Sequence, residues 1–173
     1  LEFRRVLFRS HAASLAEREN LHFVRSFHPL LIRGVASYAL ELFRAVPALD
    51  TVYVPIGLGS GICGVISARE ALGLTTEVVG VVAENAPTYA LSFAAGRPVP
   101  TNRADTLAEG LAVRVPDEAA LAMIRKHVAR IVTVSEAELR QAMRILFTDT
   151  HNIAEGAGAA TFAAALKAAG PIT

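Results

Sequence analysis

The chain has 173 residues and a formal net charge of +1; 53% of its residues are hydrophobic and 19% are charged. This composition excludes a disordered chain, and the charge offers no electrostatic basis for binding nucleic acid or an anionic membrane surface. No apolar run reaches the roughly 18 residues of a membrane span. Cys63 is the single cysteine, which excludes a disulfide framework. We therefore expect a cytoplasmic protein with no nucleic-acid or membrane partner.

The two ends of the sequence are unusual. Residues 1–10 lack an initiator methionine and show no helical or strand period, and they resemble translated sequencing adaptor joined to a coding segment. Residues 170–173 lie where another strand would be expected to begin. The sequence therefore predicts a non-native segment over residues 1–10 and a partial domain over residues 11–173, truncated at both ends.

The first half of the chain alternates strand-like runs with helical patterns. Its predicted elements are a short strand at 22–24, a helix at 30–46, a strand at 51–56, a helix at 62–72 and a strand at 77–82. The helices show apolar residues at spacings of three and four, and Pro47 and Gly73 mark their ends. The two longer strands are apolar throughout, which suits burial on both faces of a sheet.

The second half continues the alternation. Its predicted elements are a helix from Pro87 to Gly96, a loop at 97–104, a strand at 111–115, a helix from Pro116 and Asp117, a strand at 131–134 and a last helix at 157–168. Ser135 and Glu138 form a capping box that begins a further helix before the last one. This order predicts an α/β fold, in which a parallel sheet carries helices on both faces.

The most informative motif is a glycine loop between the strand at 51–56 and the helix that follows. It consists of Gly57, Leu58, Gly59, Ser60 and Gly61. Glycine tolerates positive φ and adds no Cβ, so several backbone N–H groups can face one point, and the next helix adds its positive N-terminal end. The loop is predicted to cradle a phosphate, with the Ser60 hydroxyl as a further donor. No lysine follows, which excludes a Walker A site. The alternative is a tight turn whose glycines only allow close packing.

The same glycines allow a second functional interpretation. Gly59, Gly61 and Gly64 have the G-x-G-x-x-G spacing of a dinucleotide fingerprint, and Glu84 follows at the end of the next predicted strand. The motif alone is weak, and a full helix precedes the strand. An NAD-binding Rossmann-type module is therefore the alternative function.

Four motifs in order along the chain carry a resemblance to a known family. They are H-P-L-L-I-R-G at 28–34, V-P-I-G-L-G-S at 54–60, D-T-L-A-E-G at 105–110 and A-E-G-A-G-A-A at 154–160. From about Glu17 to Leu166 the chain resembles the pyridoxal-phosphate (PLP) dependent fold-type II family, which is tryptophan synthase β-like. Within it, the chain is most similar to the threonine/serine dehydratases (ammonia-lyases) and serine racemases. Val35 and Ala36 depart from the family's G-Q-G-T stretch.

The resemblance implies the large-domain portion of a fold-type II enzyme, with PLP as cofactor and a small amino acid as substrate. The implied reaction is β-elimination from L-threonine to 2-oxobutanoate and ammonia, by an enzyme expected to be a homo-oligomer when full length. Residues 57–60 stand where the family loop binds the cofactor phosphate. Glu155 stands where a family glutamate lies near the cofactor ring; its alternative role is to cap its own helix.

The resemblance also implies features that this sequence lacks. The family forms a Schiff base between PLP and a lysine in an upstream S-x-K motif, and neither Lys126 nor Lys167 fits that motif. We therefore expect this fragment alone to be inactive. Many relatives carry a Glu-Pro pair after the second strand, and in some of them that Glu helps to bind a divalent cation. Val82 and Ala83 stand there, with Glu84 out of register, so no metal site is predicted.

Overall fold

A computed structural model describes the backbone of residues 2–170 and the side chains of residues 10–170. The first element is α1 (Glu2–Arg18), which runs through the segment in which the sequence showed no helical period. The missing helical period therefore failed to predict this helix. The segment contains no glycine or proline and is rich in Ala, Leu, Arg and Glu, which favour a helix without a dominant apolar face. The non-native origin of residues 1–10 stays a prediction.

Within the described residues, three strands form one parallel sheet at the centre of the fold. They are β1 (Thr51–Pro55), β2 (Glu77–Ala83) and β3 (Arg130–Val134), in the order β1-β2-β3. β2 pairs with both neighbours, and Val54 lies opposite Gly80 in the register. Because all three strands run in the same direction, their carboxyl ends meet at one edge, and each strand is followed by a helix. The predicted parallel α/β fold is confirmed.

Helices connect and cover the strands. They are α2 (Pro29–Ala45), α3 (Ser60–Ala71), α4 (Thr88–Ala95), α5 (Glu118–His127), α6 (Glu136–Thr150) and α7 (Gly156–Ala169), with a 3₁₀ turn at Glu109–Leu111. Local chemistry sets their ends as predicted. Gly73 and Gly96 adopt positive φ, at 65° and 69°, just after α3 and α4. Ser135 and Glu138 form the predicted capping box at the start of α6.

Two of the predicted strands are wrong. Residues 22–24 are irregular, and Val24 is 64% exposed. Residues 111–115 form the end of the 3₁₀ turn and an irregular segment, although Leu111 is buried. The backbone of that segment bonds to a side chain instead of a neighbouring strand: the Thr88 hydroxyl donates to the Val113 carbonyl at 2.7 Å. The apolar run at residues 111–115 therefore reflects burial of a side chain such as Leu111 and does not indicate strand pairing.

The sheet separates two hydrophobic clusters. Val78 and Val82 of β2 belong to the cluster that includes α2, α3 and α5, whereas Val81 and Ala83 belong to the cluster that includes α6 and α7. Alternate residues of one strand point to opposite faces, so β2 is covered on both sides. Helices therefore lie on both faces, as predicted.

The described helices include none that is both long and apolar enough to cross a membrane. At the other end of the chain, α7 is followed by Gly170, which has a φ of 77°. The strand predicted to begin at residues 170–173 falls on residues 171–173, which lie outside the described part of the chain.

Cys63 provides a test of the packing of α3. Its side chain is fully buried in the first cluster, and this burial, together with the negative charge of Asp117, raises the pKa of the thiol to about 12. At about pH 8, roughly one thiol in ten thousand is then ionised. We expect a disulfide reagent such as DTNB to leave the folded chain unlabelled and to label one thiol after denaturation. A Cys63→Ser variant is the blank, and rapid labelling in native buffer would contradict the packing.

Candidate functional site

The glycine loop connects β1 to α3 at the carboxyl edge of the sheet. Pairing with β2 continues one residue past β1, because the Ile56 N–H donates to the Val81 carbonyl at 2.8 Å. Gly59 then adopts φ 109° and ψ −6°, a left-handed conformation that side-chain-bearing residues rarely occupy, and α3 begins at Ser60. The N-terminal end of α3 thus lies beside the carboxyl end of β1, where its positive end can attract an anion.

A run of unpaired backbone donors lies at this connection. Among the described residues, the N–H groups of residues 57–62 donate to no protein acceptor. The first hydrogen bond of the turn runs from the Cys63 N–H to the Gly59 carbonyl at 3.0 Å. Gly59 and Ile62 are buried, and buried donors are normally paired. The donor set therefore fits a bound anion and includes all five predicted loop residues.

The backbone behind the loop is closely packed. A Cβ at Gly57 would overlap the Gly110 carbonyl oxygen, and a Cβ at Gly110 would lie 2.9 Å from the Ala157 Cβ. The segment at 105–110 and the first turn of α7 thus lie directly behind the loop. Close packing explains Gly57, but it does not explain Gly61, where the nearest neighbour of a Cβ would be the Tyr38 Oη at 4.0 Å. The tight-turn alternative therefore accounts for only part of the loop.

Tyr89 supports the loop from the core side, and the sequence analysis did not identify it. Its side chain is buried at 1% exposure, and its hydroxyl donates to the Leu58 carbonyl at 2.6 Å. The same oxygen accepts from the Asp117 N–H at 3.0 Å. Burial raises the pKa of Tyr89 above its ordinary value, so the hydroxyl keeps its proton. The available signal was a tyrosine on a short helix that is predicted to pack on the sheet, because a buried hydroxyl needs partners.

Glu155 occupies the N-cap position of α7. Its two carboxylate oxygens accept from the Ala157 N–H at 2.9 Å and the Gly158 N–H at 2.8 Å. The predicted capping role is therefore present in the structure. The side chain is also exposed, on the turn that packs behind the loop through Gly110. Its implied position near the cofactor ring stays a prediction.

Gly64 and Glu84, which the dinucleotide interpretation assigns to helix packing and ligand contact, have different surroundings in the structure. In a dinucleotide fingerprint the third glycine allows close packing of helix against strand. Here a Cβ at Gly64 would lie 3.2 Å from the Ala36 N, so this glycine instead allows α3 to approach α2. Glu84 is exposed, and its N–H donates to the Val134 carbonyl at 2.8 Å. No contact among the described residues favours NAD over another phosphate-bearing ligand.

The two lysines lie on α5 and α7. Lys126 is exposed in the last turn of α5. The Lys167 ammonium lies 3.1 Å from a Glu138 carboxylate oxygen and donates to the Thr133 carbonyl at 3.3 Å. Throughout the described part of the chain, no group of three or more His, Cys, Asp or Glu side chains could hold a metal ion.

A small cleft borders the loop at Leu58. Its volume is ≈ 140 Å³, and it is lined by Arg25, Ser26, Phe27, Leu58, Val115, Pro116 and Asp117. The cleft brings a guanidinium and a hydroxyl from the connection between α1 and α2 to the side of the glycine loop. Both groups can donate hydrogen bonds to an anionic ligand.

The contact between Gly57 and Gly110 gives a stability prediction. A Gly57→Ala substitution places a Cβ against the Gly110 carbonyl, so the free energy of unfolding should fall by about 2 kcal/mol or more. Gly34→Ala is the matched control, because Gly34 lies in α2 with no heavy atom within 4 Å of a Cβ. That change should raise stability by about 0.5–1 kcal/mol. Urea unfolding measures both, and a Gly57→Ala chain as stable as the wild type would contradict the contact.

Comparison with known proteins places these features in a family. The family described as pyridoxal-phosphate dependent enzymes matches residues 7–173. The chain is 34% identical over 157 residues to an L-threonine ammonia-lyase of Thermotoga maritima, covering 90% of this chain and 39% of that protein. It is 34% identical to the catabolic L-threonine dehydratase of Escherichia coli K12 over 156 residues, covering 90% of this chain and 47% of that protein.

Solved structures agree with the sequence comparison. A threonine deaminase of T.th. superposes with a TM-score of 0.86 at 32% identity, over 92% of this chain and 61% of that one. A maize serine racemase superposes with a TM-score of 0.85 at 26% identity, over 89% of this chain and 47% of that one. The chain spans less than half the length of the curated relatives that it matches. By its sequence and its fold, it belongs to the family of pyridoxal-phosphate dependent enzymes.

Proposed function

We propose that this chain is the phosphate-binding part of a PLP-dependent threonine/serine ammonia-lyase, which converts L-threonine to 2-oxobutanoate and ammonia. The observation that carries the proposal is the run of unpaired N–H groups at residues 57–62. Gly57, Leu58, Gly59, Ser60 and Gly61 hold the cofactor phosphate through these groups. The family match and the similarity to threonine ammonia-lyases support the choice of ligand and reaction.

Because the proposed site uses backbone donors, the side chains of the loop can vary without removing a donor. An N–H group keeps its geometry whichever side chain follows it, so Leu58 and Ser60 can replace family glycines without loss of donors. The Ser60 hydroxyl adds one more donor at the first turn of α3. The positive end of α3 contributes further attraction for a dianionic phosphate. This arrangement orients the cofactor by its phosphate and needs no lysine in the loop.

Glu155 is proposed as a residue at the border of the cofactor site. The packing that supports this runs from Gly57 through Gly110 to Ala157, which follows Glu155 by two residues. Both carboxylate oxygens are held by N–H groups of the first turn of α7. The carboxylate therefore fixes the turn behind the loop and carries a negative charge whose orientation is set by two hydrogen bonds.

PLP, when bound, supplies an electron sink that permits loss of a β-hydroxyl group from an amino acid. The chain's own lysines are poorly placed to attach it. α7 starts behind the loop at Gly156, and Lys167 follows eleven residues later, or about 16 Å along the helix. Lys126 is exposed on α5. We therefore propose that the reactive amine belongs to another part of a longer protein, and that the 173-residue chain binds the phosphate without turnover.

Ligand binding by this chain gives the first test. In an amide NMR titration, inorganic phosphate and PLP should shift the resonances of residues 57–61, and NAD should shift them less. Gly59→Ala should abolish the response because it strains the turn. Gly73→Ala is the matched control, since Gly73 also has positive φ but lies at the far end of α3. A stronger response to NAD than to PLP would favour the dinucleotide alternative, and no response to phosphate would end the proposal.

Turnover gives the second test. Purified chain with PLP and L-threonine should release no 2-oxobutanoate, whereas the longer protein should release it. In the longer protein, a Lys126→Arg, Lys167→Arg double variant should keep its rate within about twofold, because neither lysine is assigned to the chemistry. Product formation by the 173-residue chain, or loss of activity in the double variant, would contradict the assignment of the amine.

A further inference from the structure

The hydroxyl of Tyr89 links two backbone groups that are far apart in sequence. It donates to the Leu58 carbonyl, 31 positions away, and accepts from the Asp117 N–H, 28 positions away. A phenol has one proton, and the Asp117 N–H occupies an acceptor site, so the proton must point to the Leu58 carbonyl. The direction of both hydrogen bonds is therefore determined by the chemistry of the two partners.

This hydrogen bond fixes the orientation of one peptide unit of the loop. The Leu58 carbonyl and the Gly59 N–H belong to the same planar trans peptide, in which the two groups point in opposite directions. With the carbonyl held toward Tyr89 in the core, the Gly59 N–H points in the opposite direction, and among the described residues this N–H donates to no protein acceptor. Glycine at 59 would otherwise allow this peptide to turn over at low cost.

The anchor of this hydrogen bond is itself rigid. Asp117 is the N-cap of α5, and its carboxylate accepts from the Ala119 and Ala120 N–H groups at 3.0 Å each. Ala120 also packs against the loop, since a Cβ at Gly59 would lie 2.7 Å from the Ala120 Cβ. The start of α5, the ring of Tyr89 and the turn at Gly59 thus form one packed unit behind the donors.

We propose that Tyr89 is a positioning residue, whose hydroxyl holds the Leu58–Gly59 peptide so that the Gly59 N–H faces the ligand phosphate. The inference rests on the proposed function of the loop. It extends that function to a residue on α4 that touches no part of the ligand. It predicts that the hydroxyl contributes to binding of the phosphate group alone, and not to binding of the pyridoxal ring.

The test compares Tyr89→Phe with the wild-type chain in the same amide NMR titration. Inorganic phosphate and PLP should bind about tenfold more weakly to Tyr89→Phe, whereas pyridoxal, which lacks the phosphate, should bind equally to both. Tyr53→Phe is the matched control, because it also removes a tyrosine hydroxyl but lies on β1 and packs against the second cluster. The control should bind phosphate as the wild type does.

The outcomes separate this inference from the proposed function. If the wild type binds phosphate and Tyr89→Phe binds it equally well, the positioning role is wrong and the phosphate site stands. If Tyr89→Phe loses phosphate and pyridoxal alike, the tyrosine has only a general structural role, and the inference also fails. If the wild type does not respond to phosphate, both proposals fail.

A second measurement covers the case in which Tyr89→Phe does not fold. 3-Fluorotyrosine at position 89 keeps the ring and the hydroxyl, and its ¹⁹F resonance reports on the hydrogen bond to the Leu58 carbonyl. That resonance should move with added phosphate, with the same midpoint as the loop amides. A resonance that is indifferent to phosphate while the amides respond would overturn the inference.

Discussion

The connection between β1 and α3 depends on the backbone of Gly59, whose φ of 109° carries the chain from the sheet edge into a helix. A side chain there would meet both Tyr89 and Ala120. The turn leaves the first N–H groups of α3 and the preceding loop without protein partners among the described residues. Such donors are costly when buried unless an anion or water accepts from them, which is the physical basis of the proposed anion site.

Segments that are distant in sequence pack against the same turn on its core side. Gly57 packs on the Gly110 carbonyl, and Gly110 packs on Ala157 at the start of α7. The first contact needs the absence of a Cβ at Gly57 and the second needs it at Gly110, so both glycines are required by packing. The family motifs therefore mark a single structural unit, in which two outer segments support the glycine loop.

The core extends to the carboxyl edge of the sheet. β2 is buried on both faces, and the two clusters include residues at the carboxyl ends of the strands, such as Ile56, Ala83 and Val134. α7 approaches the sheet closely because its inward residues are alanines such as Ala160 and Ala163. The loops that follow the strands are then left at one edge, as in other parallel α/β proteins.

The sequence alone determined the features that depend on neighbours along the chain: the apolar strands at 51–56 and 77–82, the capping box at Ser135, and the glycine loop. These are local because strand burial, helix caps and positive φ are set within a few residues. Only the tertiary structure decided that residues 111–115 remain irregular and that the Tyr89 hydroxyl donates to the Leu58 carbonyl. Both result from contacts across more than twenty positions, and no local pattern encodes which distant group will satisfy a buried hydrogen bond.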